Sequence, residues 1–286
     1  AADSTPLIVL AIGGHGLSHV SEAGYEGERE RSNQLKQMLS VQAMLGVRLL
    51  VVHGNGPQVG RLLQDDDDVA DLDIHTAQTQ GELGYLISQA MPTPNVALMT
   101  RVIVASEPGP SVKPIGPVLP SRPAHQTCVQ VAGGWRLLVP SPKPQEVVEL
   151  DAIRRLLHSH HVVAGGGGGV PVSVAGEALN VVIDKDWVAA QLAVALQADL
   201  LVFATDVDYV YADFGTAQAS ALPELDSPAC TALLASGSLD AGSMGPKVAS
   251  ALEFVEVTAK RACICAVKDM VAAIEGRAGT QIGPRA

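Results

Sequence analysis

Three lysines stand where anion chemistry would need them. Lys185 lies in Ile183-Asp184-Lys185-Asp186, and Lys247 lies in Gly242-Ser243-Met244-Gly245-Pro246-Lys247. Both runs read as helix starts: Asp184 is a capping residue type, and Pro246 is tolerated in a first helical turn. A cation there opposes the helix dipole, so helix stability does not account for either lysine. An anion bound at that end does, because the ammonium and the backbone N–H groups would share its charge. Lys113 sits in the proline-rich run Val112-Lys113-Pro114-Ile115-Gly116-Pro117. Phosphoryl transfer needs such points of positive charge around the transferring oxygens. Taken singly, each lysine is more simply a solvated surface side chain; the pattern of three is what points to an anion.

The elements that must position them are apolar runs ending in glycine. Leu7–Ile12 leads into Gly13-Gly14, Arg48–Val52 into His53-Gly54-Asn55-Gly56, and Val162–Ala164 into Gly165 to Gly169. Asp199–Ala204 leads into Thr205-Asp206-Val207-Asp208. Glycine lets backbone N–H groups approach a ligand unhindered, and consecutive N–H groups make an anion nest. One such turn is most simply a tight strand-to-helix connection. Several at strand ends, in a chain without Gly-x-x-x-x-Gly-Lys-Ser/Thr, point to phosphate handling outside the P-loop class. Helical periods lie between them, over Arg31–Leu45 and over Asp186–Gln197, where Val188, Leu192, Ala195 and Leu196 recur at helical spacing. Strands alternating with helices predict an α/β fold with a mainly parallel sheet and ligands at the strands' carboxyl ends. Pro108 to Pro144 departs from this rhythm and reads as a small lid with a hairpin around Gly133-Gly134-Trp135, or else as an ordinary long surface loop.

Composition narrows the classes. The 286 residues are 47% hydrophobic but only 3% aromatic, so the core is expected from Val, Leu, Ile and Ala. A formal net charge of -11 argues against nucleic-acid and anionic-membrane partners, which need a positive field. No apolar run approaches the ~18 residues of a membrane-spanning helix. Leu7–Ile12 lacks a basic flank and reads as a first strand rather than a signal peptide. Cys263 and Cys265 alternate in an expected strand over Ala262–Val267 and read as reduced and buried, with metal or redox work as the sharper alternative. Asp65 to Asp68 reads as a solvated turn, and calcium ligation is the weaker reading. His158, His160 and His161 read as a helix end, where histidine is favourable, rather than as a metal site.

Longer motifs run along the chain: His53-Gly54-Asn55-Gly56-Pro57-Gln58-Val59-Gly60, Ala77-Gln78-Thr79-Gln80-Gly81-Glu82-Leu83-Gly84-Tyr85, Lys113-Pro114-Ile115-Gly116-Pro117 and Val139-Pro140-Ser141-Pro142-Lys143-Pro144. They continue through Gly166-Gly167-Gly168-Gly169-Val170-Pro171-Val172, Val182-Ile183-Asp184-Lys185-Asp186, Thr205-Asp206-Val207-Asp208-Tyr209-Val210-Tyr211 and Gly242 to Lys247. This set resembles the motifs of carbamate kinases, in the amino-acid kinase superfamily, and occurs in family order from about Leu7 to at least Glu256.

The resemblance implies a three-layer αβα sandwich around a mainly parallel eight-stranded sheet, with a small protruding lid. It implies one domain over 1–286, with an acceptor lobe over about 1–160, the lid over about 108–144, and a nucleotide lobe over about 161–286. It implies a cytoplasmic homodimer and reversible transfer between ATP plus carbamate and ADP plus carbamoyl phosphate, in the catabolic direction toward ATP. Under it Gly13, Gly14, His15, Gly54, Asn55 and Gly56 would hold the acceptor and the moving phosphoryl group. Lys185 would neutralise that group, Lys247 the nucleotide phosphates, and Lys113 would reach in from the lid. Asp184 or Asp186 would orient the lysines. Gly166, Gly167, Thr205, Asp206, Asp208, Tyr209, Tyr211, Met244 and Pro246 would line the nucleotide site. Mg²⁺ would be held mainly by nucleotide phosphates, with no protein metal site.

Two features depart from the family pattern. His15 stands in Gly13-Gly14-His15-Gly16 where the family usually has Asn, and the stretch from Pro117 to Trp135 is short and keeps only Arg136 of a usual basic pair. They leave open a relative acting on another small carboxylate- or carbamate-like acceptor. A nucleotide-binding regulator without turnover is the alternative from another class; retention of all three lysines argues against it.

Overall fold

The computed structural model describes residues 5–13, 46–65, 72–107, 109–124, 126–131, 133–239 and 243–284. The expected Arg31–Leu45 helix, Gly14, His15 and most of the Asp65 to Asp68 run lie outside them. The chain begins with strands β1 (Leu7–Ile12) and β2 (Arg48–His53), then helices α1 (Gly56–Asp65) and α2 (Leu72–Ala90). Strands β3 (Asn95–Ala97), β4 (Arg101–Ile103), β5 (Val112–Leu119), β6 (Cys128–Val131), β7 (Gly134–Pro140) and β8 (Glu146–Val147) follow, then α3 (Leu150–Leu156), β9 (His161–Val163) and β10 (Val170–Val172). The remainder runs α4 (Lys185–Ala195), β11 (Leu200–Thr205), β12 (Val210–Ala212), β13 (Ser220–Leu222), β14 (Glu224–Asp226), α5 (Ser227–Ala235), α6 (Met244–Thr258), β15 (Arg261–Ala266), α7 (Met270–Ile274) and β16 (Thr280–Gly283).

Eight strands form one sheet in the order β14-β16-β15-β11-β1-β2-β9-β3. Every neighbouring pair is parallel except β15 with β16. The apolar runs are continuous because both faces are covered. Alternation along each strand divides them: Val9, Ala11, Leu50, Val52 and Phe203 pack with Val188 and Leu192 of α4 and with Val248 and Phe254 of α6. Ile8, Leu10, Ile12, Leu49, Val51 and Val202 pack on the other face with Ile87 of α2 and with Met270 and Ala273 of α7. This gives three layers with little aromatic bulk.

Parallel neighbours β11, β1 and β2 bring their carboxyl ends to one edge. The ladder runs one step past each strand: the Gly13 N–H donates to the Ala204 carbonyl at 3.1 Å, and the Gly54 N–H donates to the Ile12 carbonyl at 2.9 Å. Three of the turns singled out in the sequence therefore begin side by side.

The proline-rich excursion is more ordered than a hairpin alone. β5, β7 and β6 form a three-stranded antiparallel sheet, with the expected hairpin joining β6 to β7 through Val131 and Gly134. Proline is tolerated in it because the sheet is small and mostly edge. It sits directly on α1: a Cβ built on Gly60 would lie 2.0 Å from Gly116 Cα, so only glycine permits that approach. Cys263 and Cys265 are buried, free thiols of β15. His161 joins the fold structurally, its ring Nδ1 accepting from the Leu49 N–H at 3.2 Å. Among the described residues no group of three or more His, Cys, Asp and Glu could hold a metal ion, and no helix is long and apolar enough to cross a membrane.

Candidate active site

A cavity of about 380 Å³ opens where β1, β2 and β11 end. Gly13, Gly54, Asn55 and Gly56 line one side; Thr205, Asp206, Ser243 and Lys247 line another. Lys113 of β5 and Arg136 of β7 reach it from the lid sheet, and Asp184, Lys185 and Asp186 from the start of α4.

Asp184 caps α4, its Oδ1 accepting from the Asp186 N–H at 2.9 Å. That cap fixes the first turn and turns Lys185 and Asp186 inward, where they are 7% and 3% exposed. Lys247, in the first turn of α6, is 6% exposed. Buried ammonium groups are costly unless paired, and here each is. Lys185 Nζ bonds Asp186 Oδ1, and Lys247 Nζ lies 3.2 Å from Asp186 Oδ2 and donates to the Ser243 carbonyl at 3.2 Å. Lys113 Nζ reaches from the lid to Asp184 Oδ2 at 2.7 Å.

Burial works to raise the Asp186 pKa, but Lys185, Lys247 and Lys113 together hold it well below the ordinary carboxylate range. Burial lowers the Lys185 pKa; Asp186 opposes that shift and Lys247 adds to it. Two carboxylates thus hold three cations in register, and those cations can be shared with an incoming phosphoryl group.

The five-glycine turn backs the cavity. Gly167 has φ +64°, and a Cβ on it would lie 2.2 Å from Asn55 Nδ2, so the turn must be glycine for the Asn55 amide to occupy that space. Asn55 Nδ2 also donates to Thr79 Oγ1 at 2.9 Å. His53 is 1% exposed, and its Nδ1 lies 3.1 Å from the Gly54 carbonyl. Burial, offset in part by that carbonyl and reinforced by the Lys185 charge, lowers its pKa from 6.5 to about 4, so the ring is neutral beside the lysines.

The amino acid kinase family model matches residues 6–266. Carbamate kinase from Halobacterium salinarum is 34% identical, with 96% of this chain and 98% of that protein covered. Carbamate kinase from Escherichia coli K12 is 35% identical over the same shares. The chain belongs to the carbamate kinases, within the amino acid kinase family. Among solved structures of this family, carbamate kinase from Giardia lamblia bound to citric acid superposes with a TM-score of 0.88 at 29% identity, covering 99% of each chain. The same enzyme bound to AMP-PNP, an ATP analogue, superposes with a TM-score of 0.86.

The cavity gathers most of the residues the family motifs point to. Gly13, Gly54, Asn55, Gly56, Lys113, Asp184, Lys185, Asp186, Gly167, Thr205, Asp206 and Lys247 all line it. Gly166 is packed behind it, where a Cβ would lie 2.3 Å from His53 Nε2. Asp208, Tyr209, Tyr211, Met244 and Pro246 do not line it. Asp208 pairs with Lys268 at 3.2 Å, Tyr209 and Tyr211 meet edge to face with centroids 6.4 Å apart, and Met244 packs on the core. Sequence reasoning gave no role to His53 or Ser243 and treated Arg136 only as the remnant of a basic pair. The signal for His53 was a polar residue closing the apolar run Leu49–Val52.

Proposed function

We propose that this protein moves a phosphoryl group between carbamoyl phosphate and ADP, forming carbamate and ATP, and that it runs chiefly toward ATP. The observation that carries this reading is the convergence of Lys113, Lys185 and Lys247 on one cavity through Asp184 and Asp186. Phosphoryl transfer asks little covalent chemistry of a protein and much positioning of positive charge. In this reading the ADP β-phosphate oxygen attacks phosphorus, the bond from phosphorus to the carbamoyl oxygen breaks, and the electron pair stays on that oxygen. Lys185 neutralises the moving group, Lys247 the nucleotide phosphates, and Lys113 approaches from the lid. Gly13, Gly54, Asn55 and Gly56 hold the acceptor end, with Gly14 and His15 assigned to the same loop. Thr205 and Asp206 begin the nucleotide side, which Asp208, Tyr209, Tyr211, Met244 and Pro246 extend beyond the cavity. Magnesium enters as part of the nucleotide substrate, bound to its phosphates. We further propose a cytoplasmic homodimer as the working form; the free thiols of Cys128, Cys230, Cys263 and Cys265 fit a reducing compartment.

The test is ATP formation from ADP, Mg²⁺ and carbamoyl phosphate by purified protein, followed with luciferase. Lys185→Ala is expected to lower turnover by at least ~10²-fold while leaving the thermal transition in place. A wild-type protein that binds ADP but makes no ATP would refute the acceptor, and a Lys185→Ala variant with near-normal turnover would refute the role.

A further inference from the structure

The cavity's charges balance except for one. Four cations line it, Lys113, Lys185, Lys247 and Arg136, against three carboxylates, Asp184, Asp186 and Asp206. The three lysines are paired through two of these carboxylates, Asp184 and Asp186, and Asp206 accepts from Thr205 Oγ1 at 2.9 Å. Arg136 has no carboxylate partner among the described residues: its polar contact is Nε donating to the Gly116 carbonyl at 3.0 Å. That bond uses one edge of the guanidinium and leaves the Nη groups for a ligand. Burial lowers the Arg136 pKa, which for a group that stays charged records a desolvation cost with no anion to offset it.

Its placement says which anion. Lys247, Ser243, Thr205 and Asp206 belong to the nucleotide side, whereas Arg136 rises from β7 in the lid, the sheet that also carries Lys113. Gly116, its backbone anchor, lies against Gly60 of α1, the helix that starts at Gly56 in the loop assigned to the acceptor. A planar guanidinium pairs best with two coplanar oxygens, and a carbamate presents that pair whereas a phosphate bridging to a nucleotide is already shared. Resting on the function proposed above, we infer that Arg136 grips the carbamate end of the substrate through its Nη groups and stabilises the charge that develops on the leaving carbamoyl oxygen. The Gly116 bond holds the fork's angle, so the same contact ties the lid sheet to an occupied acceptor site. This makes Arg136 a specificity-determining residue for planar carboxylate-like acceptors, separate from the lysine–aspartate network that serves the phosphoryl group.

The experiment compares wild type, Arg136→Ala and Arg136→Lys in the ATP-forming direction, varying each substrate in turn. Arg136→Ala is expected to lose ~10²-fold in kcat/KM for carbamoyl phosphate while KM for ADP stays within ~2-fold. Arg136→Lys should recover only part of that loss, because an ammonium cannot make the fork. Added guanidinium chloride, at millimolar levels too low to unfold the protein, should restore Arg136→Ala. An equal rise in both KM values, full recovery by lysine, or no loss at all overturns the assignment. Calorimetry of acetate, a non-reacting analogue that presents the same pair of coplanar oxygens as carbamate, into the ADP-loaded protein separates this inference from the parent reading. Should wild type form no ATP, the proposed reaction fails, but tenfold weaker analogue binding by Arg136→Ala still upholds the contact; equal binding by both, or none to wild type, removes it.

Discussion

Acid should destabilise the wild-type fold more than a His53→Gln variant. His53 ends β2 with its ring buried against Gly166 and hydrogen-bonded to the Gly54 carbonyl. Its pKa is lowered from 6.5 to about 4, burial being the largest cause. Between those values the unfolded chain binds a proton that the folded chain refuses, so stability falls as pH falls through that window and this contribution levels off below about 4. At about 1.4 kcal/mol per pH unit, the full window is worth roughly 3 kcal/mol, a large part of a typical domain's stability. Glutamine keeps a donor for the Gly54 carbonyl and cannot titrate. Urea unfolding followed by the fluorescence of Trp135 and Trp187, at one protein concentration and a series of pH values, gives both curves. The carboxylates, Asp186 among them, are common to both proteins and cancel in the difference. Wild type should lose about 3 kcal/mol relative to the variant on acidification. Parallel curves across the window would refute the view that His53 is held neutral.

Other substitutions probe the same network. Asp186→Asn removes the carboxylate that Lys185 and Lys247 share, and uncompensated buried charge should cost about 3–5 kcal/mol in the urea midpoint. Lys113→Met, at a half-buried lid position paired to Asp184, should cut turnover by about 10²-fold with little change in thermal unfolding. Gly60→Ala forces a Cβ toward Gly116 and should destabilise by about 1–3 kcal/mol, read as a fall in Tm; a neutral result would mean that the lid sheet is free to move off α1.

Much of the fold was legible because the strands are buried on both faces and therefore read as unbroken apolar runs. Leu7–Ile12 matches β1 residue for residue, and the Arg48, Asp199 and Ala262 runs miss β2, β11 and β15 by a single position at one or both ends. The start of α4 was legible from chemistry rather than period, since Asp184 caps it as its side chain predicts. The lid was not legible as a sheet. β5 carries Pro114 and Pro117, a composition that signals loop, and its pairing with β7 is a tertiary contact that no local pattern encodes. In the site, Lys185 and Lys247 announced themselves by opposing helix dipoles and Lys113 by its proline-rich run, but the partition of all three between two aspartates depends on three separate elements meeting. Arg136 was harder still: nothing in a strand's alternation says which face looks into a cavity.

The mutual pairing of charge in the cavity bears on how substrates arrive. Lysines already matched by carboxylates cast little field beyond the opening, and the chain's net charge of -11 repels anions at a distance. Encounter with anionic substrates is therefore not drawn in by attraction, and the association rate should rise as added salt screens the repulsion, in contrast to sites that advertise a basic patch across a Debye length of ~10 Å, whose rates fall with salt. Other phosphates are not concentrated at the entrance. Selection takes place after entry, when a ligand of the right shape redistributes the lysines' hydrogen bonds between the aspartates and itself.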